Sequence, residues 1–291
     1  MPADQTRLWA HVAALEGPRH PRAAPLALAR AAGYVASELD GVGLKVEQPS
    51  FQFHGNEHRN LVATLPGSDP GRPHLLVGAH YDTVPGTPGA DDNASGIAVL
   101  LEAARLLAAQ RPGTTIEFAA FTLEEPQGTA YAVGSRAFVR EARAAGKLYA
   151  GALILEMVGY TDQRAGSQVV PATLFWKRVP RTGTFLAATG DGQSARLLER
   201  FVSLARAGVS GLDIIGFRSP FRGWLVPQTR LSDNCRFWDA GYPALMLTDT
   251  AFLRNPHYHR AGDRLETLDF GFMARVTDAV VAAALGLATT P

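Results

Sequence analysis

The sequence predicts an α/β fold: a mostly parallel, mixed central sheet with helices on both faces. Three observations carry this. Apolar runs at His74–His80, Thr115–Phe121 and Ala150–Met157 end in turn or polar residues, as buried strands do. Helical patterns at Ala94–Ala109 and Ser135–Ala145 lie between them. Strand and helix alternate in the order expected of parallel strands joined by helical crossovers.

The remaining elements follow in order. Asp4–Leu15 reads as a short helix with Leu8, Val12 and Leu15 on one side. Pro25–Leu39 is a second helix, and its proline suits the first turn. Leu44–Phe53 and Asn60–Leu65 read as strands separated by a polar turn at Gly55. In the Ala94–Ala109 helix, Ile97, Leu100, Leu101, Ala104 and Leu107 form the apolar stripe, and Pro112–Gly113 ends the element. Residues 158–230 are irregular apart from a helix at Gln193–Ala207, and long irregular segments tend to line sites. Tyr242–Thr248 is a strand, and Leu268–Leu287 is a closing amphipathic helix. With no repeat and no long linker, residues 1–291 are read as one domain, with 158–230 as a pocket-forming insertion.

Composition narrows the function classes. The formal net charge is +1, from 28 basic and 27 acidic residues, so neither nucleic acid nor an anionic membrane is an implied partner. Cys235 is the single cysteine, which excludes an internal disulfide and multi-thiol metal sites. No signal-like leader is read in MPADQTRLWAHVAALEGPRHP, and no run of about 18 apolar residues is read. A cytoplasmic location is the expectation; secretion after signal removal would leave the same sequence.

The stretch LLVGAHYDTVPGTPGADDNASG (75–96) organises the chemistry. His80 stands at a strand end, where ligands gather in open α/β sheets. Asp91 and Asp92 stand at a loop-to-helix junction, and alone they suit helix capping as well as metal ligation. Two other strands end in carboxylates, at Glu124–Glu125 and at Glu156, and His259 lies on a loop able to reach the same edge. Crowded carboxylates raise each other's pKa, and a divalent cation removes that cost. Two imidazoles with several carboxylates exceed what one zinc needs; they suit two ions about 3.5–4 Å apart that share a carboxylate.

GAHYDT, GADDNASG, LEE, LEM and NPHYH, in that order, resemble the co-catalytic zinc aminopeptidases of the M28 type over about residues 10–280. The resemblance implies a zinc-exopeptidase three-layer sandwich and hydrolysis of N-terminal residues from peptides. It implies that His80, Asp92 and Glu156 hold one zinc and that Asp92, Glu125 and His259 hold the other. Glu124 is the implied general base, and Asp82 would orient His80. Tyr258, beside a ligand, is either an oxyanion donor or packing. Cobalt or manganese also suits such ligands. Asp91 is read as a loop or helix-terminal residue, Asp233 as a helix N-cap.

Three positions depart from the family pattern. Glu156 stands where many relatives carry Asp, Asn234 replaces the usual His, and Arg260 replaces the usual Thr, a cation that would oppose metal binding unless Asp263 pairs with it. Phe175, Trp176, Phe221 and Trp224 suggest an apolar specificity pocket. Rival readings are a glutaminyl cyclase or a carboxypeptidase on the same fold, the latter needing a basic cluster such as Arg218, Arg222 and Arg230, or a non-catalytic binding module.

Overall fold

The computed structural model describes residues 2–174 and 178–289, so Phe175 and Trp176 lie outside the described residues. In chain order the strands are β1 (Lys45–Glu47), β2 (Ser50–Phe53), β3 (Asn56–Arg59), β4 (Leu61–Leu65), β5 (His74–His80), β6 (Ile116–Phe121), β7 (Tyr149–Glu156), β8 (Leu186–Gly190), β9 (Ile214–Arg218) and β10 (Ala244–Thr248). The helices are α1 (Gln5–Leu15), α2 (Pro25–Gly41), α3 (Gly96–Ala108), α4 (Val133–Ala144), α5 (Ala195–Gly208), α6 (Asn234–Asp239) and α7 (Phe270–Thr289).

Eight strands form one sheet in the order β1-β4-β6-β5-β7-β10-β8-β9. β6, β5, β7 and β10 run parallel at its centre, whereas β4 enters antiparallel to β6, and β8 antiparallel to β10. Alternate residues of the central strands face opposite layers, as the two-residue period of a strand requires. Leu75, Val77, Ile116, Phe118, Leu153 and Leu155 pack with α1, α3, α5 and α7; Leu76, Ala119, Phe121, Ala152 and Ile154 pack with Phe138 of α4 and Phe237 and Trp238 of α6. The expected mixed sheet with helices on both faces is therefore present.

Two regions differ from the sequence reading. The strand expected over Leu44–Phe53 is divided at Gln48–Pro49, because proline has no N–H for a ladder. Its second half pairs with the polar β3 in a separate hairpin, anchored by Phe51 on Leu123, Val133 and Ala137. Residues 158–230 contain β8 and β9, which extend the main sheet.

α7 spans 20 residues with a mean hydropathy of 1.5, long and apolar enough by those measures to cross a membrane. Here Phe272, Met273, Val276, Ala279, Val280 and Ala283 are buried in the core shared with α3 and α5. Phe272→Ala is therefore expected to cost about 3–5 kcal/mol of stability, read as a lower urea midpoint. An unchanged midpoint would contradict a load-carrying place for α7 in this core.

Candidate metal centre

The parallel register brings the chemistry to one edge. β5 and β7 align Ala79 with Leu155, so the next residues, His80 and Glu156, finish side by side. β6 lies on the other flank of β5, with Phe121 opposite His80, and Glu124–Glu125 follow three residues later. The turn Ala90–Ser95 carries Asp92 and leads into α3. It is stitched to the end of β7 by four hydrogen bonds. Asn93 Nδ2 donates to Leu155 O (2.9 Å) and Asn93 Oδ1 accepts from Met157 N (3.1 Å). Ser95 Oγ accepts from Val158 N (3.0 Å) and Asp91 Oδ1 from Gly159 N (2.9 Å). Gly96 permits the turn to close, since a Cβ there would stand 2.3 Å from Asn93 Oδ1.

Six side chains meet at this edge. His80 Nε2 lies 3.3 Å from Asp92 Oδ1, 3.4 Å from Glu156 Oε2 and 3.8 Å from Glu124 Oε2. His259 Nε2 lies 3.1 Å from Asp92 Oδ2 and 3.4 Å from Glu125 Oε2. His80, Asp92 and Glu156 thus form one group able to hold a cation, and Asp92, Glu125 and His259 a second, the donor atoms of each lying within 4.8 Å of one another. Both ring nitrogens of His80, Asp92 Oδ1 and Glu125 Oε1 are buried without a hydrogen-bond partner. Orphaned donor atoms of imidazole and carboxylate type fit a divalent transition metal.

The surrounding residues hold these groups in place. Asp82 lies 3.6 Å from His80 Nδ1, beyond hydrogen-bond reach, and its carboxylate instead accepts from the backbone amides of Glu124 (3.0 Å) and Glu125 (3.2 Å). It joins the His80 segment to the glutamate pair, a link that the sequence reading did not contain. Ser232 Oγ donates to Glu156 Oε2 at 2.7 Å. Asp263 does not pair with Arg260. Its carboxylate accepts from Asp91 N (2.7 Å) and Asp92 N (3.1 Å), and Arg260 is exposed. Asp91 turns away from the cluster, accepting from Gly159 N and from Asn255 Nδ2 (2.7 Å).

Asp233 occupies the first position before α6, yet its side chain makes no capping bond. Burial pushes its carboxyl up to about 7. Tyr258 stacks on His259, with ring centroids 3.8 Å apart, and lines two cavities that open on the cluster. One, of about 110 Å³, starts at Glu156 and Tyr258 and is walled by Phe185, Ile215, Phe217, Met246 and their neighbours; the other, of about 240 Å³, is lined by Glu124, Glu125, Tyr131 and His259. Phe221 and Trp224 take no part in it; they are 78% and 69% exposed. Arg218 and Arg222 are exposed, Arg230 pairs with Asp239 at 2.9 Å, and none of the three lines either cavity.

The electrostatics are those of a site that holds protons when it holds no cation. Burial, then Asp92, pushes Glu125 up to about 8. Burial also raises Glu124 well above the carboxylate range, and Glu156 adds to it. Burial opposes the charging of His259, but its bonds to Asp92 and Glu125 win and carry it up to about 10.

The chain belongs to peptidase family M28: the model of that family matches residues 60–284. This makes the protein a hydrolase of peptide bonds. It is 35% identical over 280 residues to the uncharacterized protein YfbL of Escherichia coli, covering 90% of this chain and 82% of that one. It is 32% identical over 261 residues to a probable zinc metalloprotease of Pyricularia oryzae, covering 80% of this chain but only 50% of the relative, so the chain spans about half of that protein's length. Among solved structures it resembles an aminopeptidase from Aneurinibacillus (TM-score 0.77, 16% identity, 100% of this chain and 95% of that one). It also resembles a glutaminyl cyclase from Porphyromonas gingivalis (TM-score 0.73, 20% identity, 97% of each). The family and the metalloprotease relative imply zinc.

At neutral pH Glu125 and His259 of the metal-free site carry protons that an incoming cation must expel. Zinc affinity is therefore expected to fall as pH falls, by about tenfold per pH unit for each proton released. Chelator-competition titrations at pH 6 and pH 8 test this; equal affinities would contradict the assigned protonation.

Proposed function

We propose that the protein is a two-zinc aminopeptidase that removes apolar N-terminal residues from peptides. The observation that carries this reading is the pair of ligand groups sharing Asp92, set at the mouth of an apolar cavity. His80, Asp92 and Glu156 would hold one ion and Asp92, Glu125 and His259 the other. Bound there, two zinc ions would supply a Lewis acid for the scissile carbonyl and water acidic enough to react near neutral pH.

The chain's own groups do the rest. Glu124 is no member of either ligand group, yet its carboxylate stands 3.8 Å from His80 at the cluster. It takes a proton from the attacking water and returns it to the leaving amine. Tyr258, whose hydroxyl stays protonated because burial and the neighbouring carboxylates raise it, donates to the developing oxyanion. The apolar walls bind the first side chain and exclude water from it. Neither cavity is lined by Lys or Arg among the described residues, which disfavours capture of a C-terminal carboxylate.

Elemental analysis combined with a panel of aminoacyl anilides, N-blocked peptides and N-terminal glutaminyl peptides tests the reading. Two zincs per chain and cleavage of free-amine substrates with apolar first residues are expected. Release of ammonia from glutaminyl peptides without anilide cleavage would favour a cyclase, whose fold is shared. Glu124→Gln should keep its zinc and lose about 10²–10⁴-fold in kcat; a variant with full turnover would remove Glu124 from the role of base.

A further inference from the structure

The loop between His80 and Asp92 is held by a residue that lies before the family match. Arg19 follows α1 and is 2% exposed. Its Nε donates to Tyr81 O at 2.9 Å and its Nη2 to Gly89 O at 2.8 Å. Its Nη1 donates to Leu15 O, and to Gly17 O and Pro88 O at 2.9 Å each. Its backbone N–H donates to Thr83 Oγ1, also at 2.9 Å. Asp263, Asp82, Asp92 and Glu125 act on the guanidinium through space, while its hydrogen bonds all go to carbonyl oxygens.

The positions of those carbonyls matter. Tyr81 sits between His80 and Asp82, and Pro88 and Gly89 lead into Asp91–Asp92. One planar fork therefore grips both ends of the segment that separates a ligand of one group from the ligand both groups share. Gly89 (φ +64°) lets the two approach: a Cβ there would stand 2.9 Å from Arg19 Nη2 and 2.5 Å from Asp92 O. Asp263 takes the amides of Asp91 and Asp92. Carbonyls and amides of the same loop are thus held by a cation and an anion respectively.

We propose that Arg19 is a positioning residue for the metal centre, setting the spacing of His80 and Asp92 by clamping the carbonyls of Tyr81, Pro88 and Gly89. The proposal rests on the metal-centre reading above. The guanidinium has the same sign as a metal ion, so its charge alone opposes loading. Its contribution is geometric, and it depends on the five donors of a rigid fork that lysine cannot reproduce.

Arg19→Lys keeps the charge and removes the fork. Its zinc affinity, measured on folded protein by competition with a fluorescent chelator, is expected to fall about 10- to 100-fold, the range for residues that orient metal ligands. For an aminoacyl anilide, kcat should fall while KM holds. Thr83→Val, which frees only the Arg19 backbone N–H, should shift affinity in the same direction by less, and it carries the test if the lysine variant does not fold. A residue that merely stabilised the fold would lower the melting temperature of the metal-free protein and leave zinc affinity unchanged; that result overturns the proposal. The comparison of affinities holds for any number of ions bound. A wild-type protein that binds fewer than two zincs overturns the two-metal reading separately.

Discussion

Crowding of negative charge is the constraint on which the rest of this structure depends. Asp92, Glu124, Glu125 and Glu156 converge with two imidazoles at one edge of the sheet, the carboxylates and His80 buried and His259 partly so. Like charges at this separation repel, and removal from water makes each ionised carboxylate costlier still. Left to themselves the side chains would move apart. Three stay because they are attached to elements with no freedom to retreat: β5 and β7, which carry His80 and Glu156, are buried on both faces, and the turn that carries Asp92 is bonded to the end of β7.

A ring of uncharged or oppositely directed partners completes the restraint. Asp82 and Asp263 are acidic, yet neither belongs to a ligand group; each takes a pair of backbone amides, Glu124 with Glu125 and Asp91 with Asp92. Both therefore turn their charge on peptide dipoles and fix main chain. Ser232 instead fixes a side chain, donating its hydroxyl to one oxygen of Glu156. The longer reach of a glutamate at that position is accommodated by a hydroxyl that holds it.

The central sheet was legible because β5, β6 and β7 are apolar runs interrupted only by Glu117 and by polar residues at strand ends, and α3 has a clear stripe and a Pro–Gly stop. β8 (LAATG) and β9 (IIGFR) were not, being short, rich in small residues and close to the sheet's edge. β3 (NEHR) is polar on both faces and exists only as the partner of β2. At the site, residue types and strand ends indicated a metal, but choosing between Asp91 and Asp92 needed the family resemblance. The reason is visible in space: both are buried, and hydrogen bonds to Gly159 and Asn255 turn Asp91 away. The ion pair with Arg260 left open for Asp263 does not form, because the carboxylate is taken by amides some 170 positions distant in sequence. Arg19 carried no signal at all, since a residue that binds carbonyls imposes no side-chain pattern on its partners.

The floor of the apolar cavity has a further meaning. Ala187 and Thr189, Ile215 and Phe217, and Met246 and Thr248 are alternate residues of β8, β9 and β10, so the floor is one pleated face of three neighbouring strands. On that face the depth is set by side-chain size above the plane of the strands, while residues outside the strands, such as Val169, Leu174 and Phe252, form other walls. On the aminopeptidase reading proposed above, exchange of one such residue for a bulkier or slimmer one would change which first residues fit. The backbone that carries Glu156 at the end of β7, beside Thr248 of β10, would have no need to move. Selectivity and chemistry are thereby separable traits in this scaffold, able to drift at different rates.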